Sequence, residues 1–249
     1  VVSALDAAGE KGRSVTYAKG FSNENDSMTE QELEKALRTA AEADVAVIFA
    51  GLPEIFESEG YDRTSMKLPK CQDRLIEEVL KVQPNVVVVL HNGSPVELPW
   101  ADRVSAILEM YLGGQGVGEA CDRLLYGEAN PSGRLAETFP YRLEDNPSFL
   151  HFPGNGKRVL YGEDIFVGYR YYDTKKVPVR YAFGHGLSYT EFTYGDLTLS
   201  SAQMTGEDIL TVSLKVKNSG KTEGKEVVQL YVADLCGISE RPVKELKGF

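Results

Sequence analysis

Two kinds of hydrophobic pattern alternate through the first half of this chain. Residues 29–43 begin with Thr29 and Glu32 at the spacing of a helix capping box, and their apolar residues recur at helical spacing. Residues 45–50 (VAVIFA) and 86–90 (VVVVL) are continuous apolar runs, which are typical of strands buried on both faces. The patterns predict a helix at 29–43, a strand at 45–50, a helix at 69–83, a strand at 86–90, a strand within 104–112 and a helix at 114–125.

This alternation of strands and helices predicts the fold class of the first half. A chain that alternates in this way forms an α/β domain, in which a sheet of mostly parallel strands carries helices on both faces. Ligands of such sheets bind in the crevice outside the carboxyl ends of the strands. A functional site is therefore expected in the loop after the strand at residues 45–50.

After Gly184 the helical patterns give way to strand-like alternation. Residues 191–199, 209–216 and 227–232 read as strands separated by turn residues. Only about three or four strands fit before the chain ends, against about seven in an immunoglobulin-like sandwich. We predict an α/β domain at 1–165, an interdomain connector at 166–189 and a partial all-β immunoglobulin-like sandwich at 190–249.

A sandwich cut short in this way should have an unpaired strand edge at residues 227–232. Exposed strand edges readily pair with a strand of another chain. The sequence therefore predicts either a homodimer formed through the truncated sandwich or disorder near the C-terminus.

The composition is that of a globular protein and disfavours two classes of partner. Of the 249 residues, 42% are hydrophobic and 26% are charged, and no run approaches the roughly 20 apolar residues of a membrane span. The net charge of -10 would be repelled by a phosphate backbone, and the basic residues are scattered. Neither a nucleic acid nor a membrane is expected as a partner.

The cysteines and the N-terminus say little about the compartment. Cys71, Cys121 and Cys236 have no metal-ligand spacing and are predicted to be reduced thiols. The first residues have neither the basic start nor the apolar run of a signal peptide, which slightly favours a cytoplasmic location. A chain that starts at Val1 and stops just after a strand-like run is expected to be part of a longer protein.

The loop after the first predicted strand has the richest set of reactive side chains. Residues 53–63 (PEIFESEGYDR) combine four carboxylates, one arginine and two aromatic rings. Neighbouring carboxylates and apolar rings raise the pKa of a carboxyl group, as a proton donor requires. A solvated acidic loop would have the same composition, so both interpretations stay open at this point.

Short motifs recur in a fixed order along most of the chain. They are ESEGYDR at 57–63, LP at 68–69, NGSPV at 92–96, GGQG at 113–116, PSGRL at 131–135, YGE at 161–163, GYRY at 168–171, FGHGLSY at 183–189, VQLYV at 228–232 and KGF at 247–249. From about residue 44 onward, this order resembles the C-terminal α/β-sandwich domain of family 3 glycoside hydrolases. The last two motifs resemble the start of that family's fibronectin type III-like domain.

The resemblance implies a retaining β-glycosidase of β-glucosidase type that hydrolyses terminal β-linked glucosyl or xylosyl residues. Such enzymes use two carboxylates about 5 Å apart. In this family the nucleophilic aspartate lies on a preceding (β/α)8 barrel, so the missing N-terminal barrel is the expected partner and the chain alone is expected to be inactive. Glu59, immediately before Gly60, matches the glutamate of the family's Glu-Gly-x-Asp-Arg pattern and is the predicted acid/base; Glu57 is the reserve candidate.

Four further residues of the loop are predicted to bind the substrate, a β-glucoside or oligosaccharide: Phe56, Tyr61, Asp62 and Arg63. As an alternative, Asp62 and Arg63 could pair with one another. No cofactor and no metal site are expected, because the histidines lie far apart without carboxylates at ligand spacing. The competing hypothesis is a non-catalytic carbohydrate-binding or interaction module, whose acidic loop recognises hydroxyl groups without transferring a proton.

Overall fold

A three-stranded parallel sheet forms the centre of the first half in the computed structural model, which describes residues 1–237 and 239–249. Its strands are β1 (Ala46–Gly51), β2 (Val86–His91) and β3 (Ala106–Glu109), with β2 in the middle. Val86, Val88 and Val89 of β2 have no exposed surface, which accounts for its continuous apolar sequence.

Helices follow the strands in the predicted order. Their bounds are α1 (Val2–Glu10), α2 (Glu30–Ala41), α3 (Lys70–Val79), α4 (Val117–Leu125) and α5 (Tyr169–Lys175). The capping box of α2 is present, because the Thr29 hydroxyl accepts from the Glu32 N–H and the Glu32 carboxylate accepts from the Thr29 N–H. Helix α3 packs against α2 and β1. The α/β class is thereby confirmed, whereas α1 and α5 were not predicted.

The main core lies where this sheet meets the helices and contains the single tryptophan. Trp100 is fully buried, and its indole N–H donates to Asp73 at 2.9 Å. Burial raises the pKa of Asp73 to about 6, although this hydrogen bond opposes the rise. Trp100 is thus a core residue with its one polar atom satisfied.

Helix α1 is fixed to α4 by close packing and by charge. A Cβ atom on Gly118 of α4 would lie 2.3 Å from the Ser3 hydroxyl oxygen, so the two helices approach too closely for a larger residue. Just after α1, Lys11 and Arg13 both bind the carboxylate of Asp122, whose side chain is 1% exposed. The Lys11 ammonium is 2.8 Å from this carboxylate.

Regular structure occurs within the predicted connector at 166–189. Strand β4 (Phe139–Pro140) pairs antiparallel with β5 (Val179–Tyr181), which ties the connector to the first half of the chain. The Tyr169 ring of α5 stacks on Phe183 with centroids 4.9 Å apart, and its hydroxyl accepts from the Leu246 N–H at 2.8 Å. The connector therefore contacts the C-terminal part as well. Its limits stay a prediction.

The C-terminal part contains two short antiparallel sheets. One pairs β6 (Phe192–Leu199) with β7 (Val212–Asn218), and the other pairs β8 (Leu230–Val232) with β9 (Glu245–Gly248). Strand β9 was not predicted, and it covers one edge of β8, where the sequence suggested an unpaired strand. Within the described residues, no strand pairs with the other edge of β8. The homodimer stays a prediction.

The ion pairs around Asp122 give a test of how α1 is held. Replacing Asp122 with alanine leaves Lys11 and Arg13 with only the exposed Glu128 as a partner and should lower the free energy of unfolding by up to about 3 kcal/mol, the low end for breaking a buried ion pair, because both cations are partly exposed. Urea denaturation measures this loss. Glu128→Ala removes the same charge from an exposed acceptor of Lys11 and Arg13, and should cost much less. Equal losses in the two variants would contradict the role of burial.

Candidate active site

The loop after β1 starts from a backbone position that only glycine can occupy. Gly51 has a φ of +148°, and a Cβ atom there would lie 1.9 Å from the His91 carbonyl oxygen. The side chain of Gln72, which is 2% exposed, accepts from the Gly51 N–H at 2.8 Å and donates to its carbonyl at 2.9 Å. The loop therefore leaves the sheet in a fixed direction.

Glu59 lies at the tip of a tight turn in this loop. Ser58 and Tyr61 form an antiparallel bridge, so Glu59 and Gly60 are the two residues between the bridged positions. The Tyr61 hydroxyl donates to the Glu54 carbonyl and ties the turn back to the start of the loop. Glu59 itself is exposed, and no hydrogen bond or ion pair joins its side chain to another described residue.

Glu57, two residues earlier, has a different environment. One oxygen of its carboxylate accepts from the Gly93 N–H at 2.5 Å, and the other accepts from the Ser94 hydroxyl at 2.7 Å. The Arg63 guanidinium lies 3.4 Å from the same carboxylate and also donates to Ser94 and to the Pro95 carbonyl, at 2.6 and 3.2 Å. Glu57 thus joins the loop after β1 to the turn after β2.

A second carboxylate supports that turn from the end of β3. Asn92 is fully buried, and its amide nitrogen donates to the Ser94 carbonyl at 3.0 Å and to Glu109 at 3.3 Å. Glu109 also accepts from the N–H of Tyr111, whose φ of +47° is unusual for a residue with a side chain. Burial raises the pKa of Glu109 to about 7, and the negative charge of the nearby Glu57 adds to the rise. The hydrogen bonds that Glu109 accepts from Tyr111 and Asn92 lower the pKa but do not cancel the effect of burial.

A cleft of about 610 Å³ opens beside these residues. It lies between the loop after β1, the turn after β2 and the segment at residues 137–172. One carboxylate oxygen of Glu163 in its lining is buried and has no hydrogen-bond partner among the described residues. The lining includes Tyr61, Asp62, Ser94, Glu137, Phe152 and Val167.

Most of the residues selected from the sequence meet at this cleft. Phe56 and the exposed Glu59 belong to the same loop but lie outside the lining. Arg63 pairs with Glu57, and the alternative pair with Asp62 is not found among the described residues. The candidates that line the cleft are Glu57, Tyr61, Asp62 and Arg63.

Several residues of the site had no role in the sequence analysis. Asn92 begins the NGSPV motif and Gln72 follows the LP motif, but neither motif indicates what these side chains contact. Their hydrogen bonds are to residues at the ends of strands that are distant in sequence. Glu109 carried a usable signal, because it is a charged residue that ends a strand at the edge where ligands bind. No group of three or more His, Cys, Asp or Glu side chains able to hold a metal ion occurs in the described part of the chain.

No helix in the described part of the chain is both long enough and apolar enough to cross a bilayer.

Comparison with known proteins gives one consistent family. The model of the "Glycosyl hydrolase family 3 C-terminal domain" matches residues 1–189. The thermostable beta-glucosidase B of Acetivibrio thermocellus is 55% identical over 243 residues, which are 98% of this chain and 32% of that protein.

Solved structures agree with this match. The GH3 beta-glucosidase of Bifidobacterium adolescentis superposes with a TM-score of 0.93 at 41% identity, covering 98% of this chain and 36% of that one. The beta-glucosidase of Kluyveromyces marxianus in complex with glucose gives a TM-score of 0.82 at 44% identity, covering 88% of this chain and 26% of that one. The chain therefore spans about a third of the length of these relatives.

The buried carboxyl of Glu109 predicts a specific dependence of stability on pH. Its pKa is raised in the folded state, so the folded state is favoured when the group is protonated and loses stability as the pH rises from the ordinary value of 4.5 to about 7. Glu109→Gln cannot ionise and should escape this loss. The difference in the free energy of unfolding between Glu109→Gln and the native chain should therefore increase by up to about 3 kcal/mol in favour of the variant between about pH 4 and pH 8. The scale follows because a pKa shift of one unit corresponds to about 1.36 kcal/mol.

Urea denaturation at a series of pH values measures this difference. Glu34→Gln removes an exposed carboxylate from α2 and serves as the matched control, with no comparable trend expected. If the curves for Glu109→Gln and the native chain ran parallel from pH 4 to pH 8, the proposed burial effect at Glu109 would be wrong.

Proposed function

The chain belongs to the C-terminal domain of glycosyl hydrolase family 3, and from this premise we propose that it supplies the general acid/base of a retaining β-glucosidase. The acid/base is Glu59. The nucleophilic aspartate comes from an N-terminal (β/α)8 barrel that is not part of these residues. The substrates are terminal β-linked glucosyl or xylosyl residues.

The observation that carries this assignment is the contrast between Glu57 and Glu59. Both oxygens of Glu57 accept short hydrogen bonds from the turn after β2, and Arg63 lies against them. A general acid/base must give up a proton and later take one back, which requires a carboxyl oxygen that can face the reacting group. Glu59 meets this requirement at the exposed tip of its turn, and Glu57 acts as the support that holds the turn in place.

The sugar is proposed to bind where the loop meets the cleft. Tyr61 and Asp62 are exposed at the cleft, so a carboxylate is available to accept from sugar hydroxyls and a ring is available to pack on the sugar. The relatives support the substrate class, because they are named beta-glucosidases and one of the matched structures contains glucose. Arg63 contributes indirectly, by fixing Glu57.

The reaction follows in two steps. The aspartate attacks the anomeric carbon, the bond to the leaving oxygen breaks, and Glu59 donates its proton to that oxygen. The Glu59 carboxylate then removes a proton from water, whose oxygen attacks the anomeric carbon and releases the aspartate. The sugar leaves with retained configuration, and Glu59 is protonated again.

The division of the two carboxylates predicts that the isolated chain is inactive. The protein to compare with it is a chimera, in which this chain replaces the 243 matched residues of thermostable beta-glucosidase B. At equal molar concentration, the chimera should hydrolyse an aryl β-glucoside and the chain alone should not. Turnover by the chain alone that disappears in Glu59→Ala would overturn the proposal of a divided site.

The role of Glu59 predicts a distinct response of the chimera to substitution. Glu59→Ala should slow hydrolysis of a glucoside with a poor leaving group about 10²–10⁴-fold, because proton transfer contributes on this scale. A good leaving group needs little protonation and should lose less. With the good leaving group, the glycosyl-enzyme accumulates, and added azide should attack its anomeric carbon in place of activated water, release the aspartate, restore part of the rate and yield the β-glycosyl azide.

Glu54→Ala is the matched control, because Glu54 is an exposed carboxylate of the same loop. It should leave both the rate and the azide response unchanged. Azide rescue in Glu57→Ala and its absence in Glu59→Ala would reverse the two roles. Retained sugar binding with no change of turnover in either variant would favour the non-catalytic module.

A further inference from the structure

A buried amide side chain completes the sheet at the point where the loop after β1 begins. The Leu52 N–H donates to the His91 carbonyl of β2 at 2.9 Å. Because successive residues of a strand direct their backbone groups to opposite edges, the N–H and carbonyl of Gly51 point away from β2. Within the described residues no strand pairs with that edge of β1. The Gln72 amide binds both groups instead, and so takes the place that a neighbouring strand would have.

Gln72 is itself held firmly in the first turn of α3. The Asp26 carboxylate accepts from the N–H groups of Lys70 and Cys71, at 3.0 and 2.8 Å, and thereby fixes the start of the helix. The buried indole of the core donates to Asp73, the residue after Gln72. Helix α3 also packs against β1. The amide that binds Gly51 is therefore attached to one of the best-supported parts of the structure.

A short turn connects Gly51 to the carboxylate that supports the site. The N–H groups of Phe56 and Glu57 both donate to the Pro53 carbonyl, at 2.8 and 3.1 Å. The loop therefore has few ways to bend between its start at Gly51 and Glu57. A change in the direction of the backbone at Gly51 is passed on to Glu57 and to the turn that carries Glu59.

We propose that Gln72 is a positioning residue of the reaction, which fixes Gly51 and thereby sets the direction in which the loop presents Glu59 to the leaving oxygen. This inference rests on the proposed function. Gln72 is 2% exposed and does not belong to the lining of the cleft, so it acts through the backbone of the loop. A displacement of about 1 Å in a reacting group can slow a reaction about 10²-fold.

Gln83 offers a matched control, because it is a buried glutamine with a similar role at the opposite end of the sheet. It is 5% exposed, and its amide donates to the carbonyls of Ala40 and Ala43 at 2.9 and 2.6 Å. Its carbonyl oxygen accepts from the Asn85 N–H, just before β2 begins. Changes at Gln83 therefore disturb a comparable set of buried hydrogen bonds far from the loop after β1.

Amide hydrogen exchange of the isolated chain tests the structural half of the inference without measuring activity. Gln72→Met keeps the length of the side chain and removes both hydrogen bonds to Gly51. Peptides that cover residues 51–57 should then exchange about tenfold or more faster, because the start of the loop opens more readily. Gln83→Met should leave their exchange unchanged. Unchanged exchange of these peptides in Gln72→Met would contradict the inference.

Kinetics of the chimera test the functional half. The quantity to measure is the ratio of kcat/KM for a glucoside with a poor leaving group to that for one with a good leaving group. Gln72→Met should lower this ratio about 10–10²-fold, because only the poor leaving group depends on a well-placed proton donor. Partial unfolding reduces both values by the same factor and leaves the ratio unchanged. Gln83→Met should therefore keep the native ratio.

Gln72→Glu adds a test by pH and does not depend on how well Gln72→Met folds. The introduced carboxyl has the shape of the amide and, when protonated, can accept from the Gly51 N–H and donate to its carbonyl. When ionised it can only accept. Burial raises the pKa of such a carboxyl, so the ratio should equal that of the native chimera at about pH 5 and fall below it towards pH 9.

A native ratio in Gln72→Met, or a ratio in Gln72→Glu that follows the native one at every pH, would overturn the inference. Adding Gln72→Met to Glu59→Ala should lower the ratio no further, because a group that has been removed cannot be misplaced. A further fall of about tenfold in the double variant would show that Gln72 acts on something other than Glu59, and would overturn the inference as well.

The outcome is separable from that of the proposed function. A lowered ratio in Gln72→Met with a native ratio in Glu59→Ala would refute the acid/base assignment and keep Gln72 as the residue that positions the loop. A lowered ratio in Glu59→Ala with a native ratio in Gln72→Met would keep the acid/base and refute the inference.

Discussion

The candidate site depends on one carboxylate whose two oxygens both accept hydrogen bonds. Glu57 binds the Gly93 N–H and the Ser94 hydroxyl, and so joins loops that follow two adjacent parallel strands. A turn held only by local contacts would sample many positions, whereas a catalytic group must be held close to one geometry. The short hydrogen bonds of Glu57 therefore give a defined place to the neighbouring turn, whose Ser58 and Tyr61 line the cleft and whose tip carries Glu59.

This arrangement brings acidic groups close together, and the surrounding structure compensates for it. Arg63 lies against Glu57 and offsets its charge. Glu109 is buried near the same carboxylate, and the cost appears as its raised pKa. Asn92 meets Glu109 and Ser94 with its amide nitrogen, while its buried carbonyl oxygen has no partner among the described residues. Polar groups that are satisfied only in part are common where function takes precedence over stability.

The sequence predicted the elements that are identified by patterns within their own segments. The capping box of α2 and the apolar runs of β1 and β2 need no distant partner to be recognised. Helix α1 has no capping side chain, and Asp122 and Gly118, which hold it, lie more than a hundred residues away. Strand β9 is defined by its pairing with β8, a contact that cannot be read from four residues. The resemblance supplied the family and favoured Glu59 as the acid/base, with Glu57 as the reserve candidate.

The choice between the two glutamates shows why the candidate site needed the structure. In the sequence they are two acidic residues of one loop, and only the resemblance to the Glu-Gly-x-Asp-Arg pattern favours Glu59. What separates them is the turn at Gly93, which lies 36 residues beyond Glu57 and comes next to it only because β1 and β2 are parallel neighbours. The fold thus uses one carboxylate to support the loop and exposes the other. The proposed acid/base, exposed on a supported turn, suits the proposed completion of the active site by a separate domain, because the contacts that fix the turn all lie within this chain.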